Sequence, residues 1–92
     1  MTKRIYFDNP YQIEFEGEVT DKLKINHKIG LILNQTCFYP ESGGQPSDKG
    51  TINGINVTEI YEKNDEIIHL LEQDILDKKV KGKIDWFTRF DH

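Results

Sequence analysis

Cysteine is nearly absent from this chain. The one thiol, Cys37, rules out an intramolecular disulfide framework and fits a reducing cytosolic compartment. Long apolar runs are missing too, since nothing approaches the ~18 consecutive residues of a membrane-spanning helix. The basic start, Met1-Thr2-Lys3-Arg4, leads into Ile5-Tyr6-Phe7-Asp8 rather than an apolar stretch, so there is no signal-peptide pattern. These absences point to a cytoplasmic protein with no membrane partner. An excess of positive charge is also lacking. The formal net charge is −4, whereas a domain that holds nucleic acid unaided presents a basic surface that displaces counterions from phosphates. Any RNA contact is therefore expected to be local and assisted by a neighbouring domain. Lys78, Lys79, Lys81 and Lys83 are a local exception, read most simply as the solvated face of a strand. Glu14, Glu16 and Glu18 read the same way. His27 and His69 each lack a second histidine or cysteine at metal-ligand spacing, so both read as surface or rim histidines.

What is present describes one small, thinly cored domain: 92 residues, 36% hydrophobic and 30% charged. The periodicity is that of strands. Ile5 and Phe7 alternate with Tyr6. Ile13, Phe15 and Val19 alternate with glutamates, Gly17 taking one inward position. Ile29, Leu31 and Leu33 share a face, with Ile32 on the other. Ile55 and Val57 alternate, and Val80, Gly82, Ile84 and Trp86 alternate with Lys79, Lys81, Lys83 and Asp85. Asn53-Gly54 is a two-residue hairpin signal, because both positions tolerate the positive φ of a type I′ turn. Asn64-Asp65 is a weaker second one. Gly17 and Gly82, inside strand patterns, suggest bulges or tight bends.

Roughly six or seven short strands with little helix predict a mostly β fold, a small closed antiparallel Greek-key barrel that removes its own edges. From Asp85 onward the alternation is lost. Trp86, Phe87 and Phe90 have the spacing of a helix that has just begun, with Asp85 as its N-cap. The expected organisation is a β-barrel module over residues 1–84 and the start of a linker or helix over 85–92.

The most distinctive segment runs Thr36-Cys37-Phe38-Tyr39-Pro40-Glu41-Ser42-Gly43-Gly44-Gln45-Pro46-Ser47-Asp48-Lys49-Gly50. Paired glycines free the backbone to approach a ligand closely. Glu41 and Gln45 bracket the pair with an anionic acceptor and an amide. Composition alone reads this stretch as a polar hairpin turn. Cys37, beside Phe38, reads as a small buried hydrophobe.

The longer string resembles the signature of the alanyl-tRNA synthetase editing region and its free-standing relatives, the AlaX editing proteins. Thr36, Phe38, Tyr39, Glu41, Gly43, Gly44, Gln45, Asp48 and Gly50 fall on that pattern. Pro46 is similar to the free-standing proteins, Ser42 to the synthetases. Asp85 to His92 resembles the segment that precedes the family's first zinc motif, His-x-x-x-His, which this chain lacks.

The resemblance implies a translation-protein-like barrel followed by a zinc-binding editing domain beyond His92. In the family that domain hydrolyses mischarged tRNA(Ala), the metal activating water or orienting the aminoacyl group. The expectation is therefore a module with no catalytic residue, metal ligand or cofactor of its own, inactive alone, with zinc in the downstream domain. Glu41, Ser42, Gly43, Gly44 and Gln45 are the candidate loop facing substrate and the tRNA end. Thr36, Asp48, Lys49 and Arg89 are candidate contacts to RNA or to the neighbouring domain. The expected partners are tRNA, through the full-length protein, and the downstream editing domain. Two other readings fit the same residues: a non-catalytic translation-type barrel that binds tRNA or protein, and part of a full alanyl-tRNA synthetase.

Overall fold

The computed structural model describes residues 2–9, 11–41 and 47–85. In chain order the elements are β1 (Lys3–Arg4), α1 (Ile5–Asp8), β2 (Glu14–Ile25), β3 (Lys28–Leu33), β4 (Gln35–Thr36), β5 (Gly50–Ile52), β6 (Ile55–Lys63), β7 (Glu66–Leu71) and β8 (Lys79–Ile84). The mostly β reading holds. Six strands close a barrel in the order β2-β3-β7-β6-β5-β8, each pair antiparallel, while β1 and β4 form a separate parallel pair. Hairpins join β5, β6 and β7, and β8 then returns to lie beside β5, which is the Greek-key arrangement. No helix among the described residues is long and apolar enough to cross a membrane.

The turns follow their residues. Asn53 (φ 51°) and Gly54 (φ 81°) both adopt the left-handed region between Ile52 and its partner Ile55, so the type I′ signal is met. Asn64 (φ 53°) and Asp65 (φ 64°) do the same between Lys63 and Glu66.

Two local expectations are corrected. Ile5-Tyr6-Phe7 is one turn of helix rather than a strand, closed by the Asn9 N–H donating to the Ile5 carbonyl at 2.8 Å. The reason is packing: Tyr6 is the buried member, stacked on Tyr39 with ring centroids 4.3 Å apart, while Phe7 faces outward. Gly17 and Gly82 are not bulges, since the β2–β8 register runs unbroken through both. A Cβ at Gly82 would lie 2.3 Å from the Phe15 ring, which occupies that space. The bulges fall instead at Thr20 and Thr58, between Val19 and Asp21 and between Val57 and Glu59. The second lets Val57 and Ile60, three residues apart, both face the interior.

The interior is filled by Phe15, Leu31, Leu33, Phe38, Ile52, Ile60, Ile67, Leu71, Val80 and Ile84. Two polar side chains, Thr36 and His69, are fully buried with them.

Gly50 is required by crowding, because a Cβ there would sit 2.1 Å from the Lys83 carbonyl oxygen and 2.8 Å from Phe38. Around Gly54 no atom lies within 4 Å of a built Cβ. Gly50→Ala is therefore expected to lower the free energy of unfolding by about 2–3 kcal/mol. Gly54→Asn, which tolerates the same φ, should change it by about 0.5 kcal/mol or less. Urea unfolding of the two variants checks the contrast.

Candidate functional site

The signature segment lies along one rim of the barrel, and most of its residues build the base from which residues 42–46 depart. Thr36 ends β4 fully buried. Its hydroxyl lies 2.8 Å from His69 Nε2 and accepts the Phe38 N–H at 3.0 Å. The other ring nitrogen, Nδ1, is 3.0 Å from the Leu31 carbonyl oxygen. A carbonyl can only accept, so Nδ1 carries the proton, Nε2 accepts from the Thr36 hydroxyl, and the chain of donors and acceptors closes. Burial holds the His69 pKa down at about 4, against a smaller opposing effect of the bond to Leu31. The imidazole is thus neutral at physiological pH.

Beyond Phe38 the rim tightens. The Tyr39 N–H donates to Asp48 Oδ2 at 2.7 Å, and the Asp48 N–H donates back to the Tyr39 carbonyl at 3.0 Å. Both sides of the segment are then tied to one residue of β6: the Glu41 N–H donates to the Ile60 carbonyl at 2.9 Å, and the Ile60 N–H donates to Ser47 Oγ at 3.3 Å. Lys49 follows, and its carbonyl accepts the Asp85 N–H at 2.7 Å. The chain therefore leaves β8 beside the base of the glycine segment. Tyr39 and Phe7 expose ring surface on either side of Tyr6 at this rim. Burial pushes the Tyr6 phenol up to about 12, so it too stays neutral.

Of the candidate contacts, Thr36 and Asp48 are buried in the stem of the rim. Lys49 and Glu41 are exposed. Ser42, Gly43, Gly44, Gln45 and Arg89 lie outside the described residues, as do Trp86 and Phe90. His69 is corrected from a rim histidine to a core one. Its parity, two residues from both Ile67 and Leu71 on the inward face, was the available signal. Among the described residues no three His, Cys, Asp or Glu side chains converge on a possible metal position. The described part of the chain therefore does not fit a zinc site.

Register also settles the electrostatics of β8. Lys79, Lys81 and Lys83 stand directly opposite Glu18, Glu16 and Glu14 of β2. Lys81 Nζ and Glu16 Oε1 are 3.8 Å apart, both well exposed. The two charged strips are thus the solvated faces expected, laid side by side so that their fields largely cancel. A groove of about 490 Å³ beside this ladder is lined by both signs, including Glu16, Glu18, Lys79 and Lys81.

Residues 6–88 match the family of class II (A) tRNA synthetases. The chain is 39% identical over 98% of its length to the alanyl-tRNA editing protein AlaX-L of Pyrococcus horikoshii, of which it spans 24%. It is 37% identical over 98% of its length to AlaX-M of the same organism, spanning 42%. Similarity to the alanine–tRNA ligase of Methanobrevibacter smithii is 37% over 96% of the chain and 11% of the ligase. The chain thus spans less than half of each of these relatives.

The buried imidazole makes stability depend on pH. An unfolded chain takes up a proton on His69 near pH 6.5, whereas the folded chain does so only near pH 4. Stability from this residue is therefore complete above pH 6.5 and falls as pH drops toward 4, by about 3 kcal/mol in all. His69→Asn, which cannot titrate, should be less stable than the wild type at pH 7.5, and that gap should narrow by about this amount at pH 4. Urea unfolding across this range measures it, and a constant gap would contradict a neutral buried imidazole.

Proposed function

Since the chain belongs to the alanyl-tRNA synthetase family, we propose that it is the barrel module of a protein that hydrolyses mischarged tRNA(Ala). In this reading the module carries no reacting group. It presents the segment Glu41, Ser42, Gly43, Gly44 and Gln45 toward the aminoacyl end of the tRNA, from a rim held rigid at Thr36, Tyr39, Ser47 and Asp48. The observation that carries the reading is that clamped rim. The residues of the signature that surround the glycines are engaged in fixing its base, with Asp48 bonded twice to Tyr39 and Ile60 bonded to both sides. An ordinary surface turn needs no such support. The Asp85 N–H is bonded to the Lys49 carbonyl, so β8 also finishes beside that base.

The hydrolysis proposed is attack of water on the ester that joins serine to the tRNA. Selection against alanine would come from a pocket that hydrogen-bonds the serine hydroxyl, since a site built around such a group rejects analogues lacking it. The zinc implied by the resemblance would be held by the proposed catalytic domain, where it would activate water or orient the aminoacyl group. The similarity to an alanine–tRNA ligase favours a second reading, in which the same module serves editing within a full synthetase.

The test uses the full-length protein and single-turnover hydrolysis of Ser-tRNA(Ala), with the thermal midpoint measured beside it. Gln45→Ala should slow hydrolysis with the midpoint unchanged. Gly44→Val should slow it further, because a β-branched residue resists positive φ and blocks close approach. The 92-residue chain with added zinc should give only background hydrolysis. Wild-type rates in both well-folded variants would return the segment to an ordinary turn, as would a substitution cost confined to stability.

A further inference from the structure

The ladder between β2 and β8 sets the most obvious basic strip directly against an acidic one. Among the described residues several cations are compensated. Lys79, Lys81 and Lys83 face glutamates. Lys22 is held by Asp74 at 2.9 Å, and Arg4 by Glu62 at 3.1 Å.

Lys28 and Lys49 differ. They are 21 positions apart in sequence, yet both ammonium groups are held on one residue. Lys28 Nζ donates to Thr58 Oγ1 at 3.2 Å, and Lys49 Nζ donates to the Thr58 carbonyl at 3.4 Å. The Thr58 hydroxyl passes its own proton to the Leu70 carbonyl at 3.2 Å, which fixes it as an acceptor toward Lys28. Among the described residues no carboxylate lies within ion-pair distance of either lysine. Thr58 is the bulge residue of β6, where the ladder to β7 is interrupted.

We propose that Lys28 and Lys49, gathered at the Thr58 bulge, contact the phosphate backbone of RNA. Two ammonium groups bonded to one residue raise the positive potential there, and a phosphodiester anion beside them would be attracted to both. Each ammonium also keeps donors beyond the one spent on Thr58, and lysine serves phosphate as a point charge with freely aimed donors. A groove of about 370 Å³ runs beside Lys49, lined also by Thr51, Asn56 and Asp85. Lys49 directly follows Asp48, the clamp of the glycine segment. A backbone seated at the pair would therefore pass along the outside of the rim from which that segment departs. The inference rests on the tRNA-editing reading above and names the residues through which the module touches the nucleic acid.

The test separates phosphate binding from RNA binding. Lys28→Gln/Lys49→Gln removes both charges while keeping amide donors for Thr58, and Lys81→Gln/Lys83→Gln removes two charges from the ladder as a control. The Thr58 amide resonance is followed during titration with inorganic phosphate, against chloride at equal ionic strength. It should shift in the wild type and in the ladder variant, and not in the Lys28/Lys49 variant. Binding of a tRNA(Ala) transcript is then measured over a range of salt. The slope of log affinity against log salt should fall by about one to two for the Lys28/Lys49 variant and stay unchanged for the ladder variant. Equal effects of the two variants, or a Thr58 signal indifferent to phosphate, would overturn the proposal. A phosphate response at the pair with the same tRNA salt slope in wild type and Lys28/Lys49 variant would overturn the RNA assignment, whereas the tRNA-editing reading falls only if the full-length protein fails to hydrolyse Ser-tRNA(Ala).

Discussion

A neutral imidazole inside a small barrel must satisfy one donor and one acceptor without help from solvent, and His69 does so with two different strands. Its Nδ1–H reaches the Leu31 carbonyl on β3, and its Nε2 takes the proton of Thr36, which in turn anchors the Phe38 N–H. Breaking any member of this chain would leave a buried polar group unpaired, at a cost of about 1–3 kcal/mol. The path of the chain from β4 into the signature segment is thereby locked to the barrel interior. Phe38, whose ring lies edge-on to both His69 and Phe15, fills the space next to it. The rim that carries the glycine segment depends on this junction.

From that junction outward the order is one of decreasing burial. Thr36 and Phe38 are fully enclosed, Asp48 and Ser47 nearly so, Tyr39 is partly open, and Glu41 and Lys49 face solvent. Rigid support below and exposed groups above is the arrangement that lets a loop hold a position relative to a bound partner, because loops carry function best on a fixed scaffold. Thr36, Phe38, Asp48 and Gly50 thus build the stem of the signature segment, and Glu41 stands exposed beyond it.

Charge is organised by register in the same way. A chain with twelve lysines and arginines against sixteen acidic residues could scatter them, or segregate them into strips. Here β2 and β8 each carry a strip of one sign, and their pairing sets lysine against glutamate. Such exposed pairs contribute little to stability, but they cancel a field that either strand alone would project. Lys28 of β3 and Lys49, just before β5, lie outside this ladder and each donate to Thr58 instead.

Much of this was legible in the residues alone. Period-two alternation identified most of the strands, Asn53-Gly54 and Asn64-Asp65 marked their hairpins, and the spacing from Thr36 to Gly50 carried the family. These are local signals, set by backbone sterics and by which face of a strand is apolar. Other features depend on partners distant in sequence. Tyr6 is buried because Tyr39 covers it, so a strand-like triplet became a turn of helix. Gly82 is small because Phe15 lies across from it, and the bulges fall at threonines that nothing in the local pattern distinguishes. Thr36 and Asp48 read as polar and available until the barrel turned them inward, against His69 and the Tyr39 backbone. Sequence determined the strand pattern and the family, because periodicity and motif spacing are properties of neighbouring residues. Folding decided which polar groups are buried, which charges cancel and which lysines meet, because those follow from strand register and closure between segments that no local pattern connects.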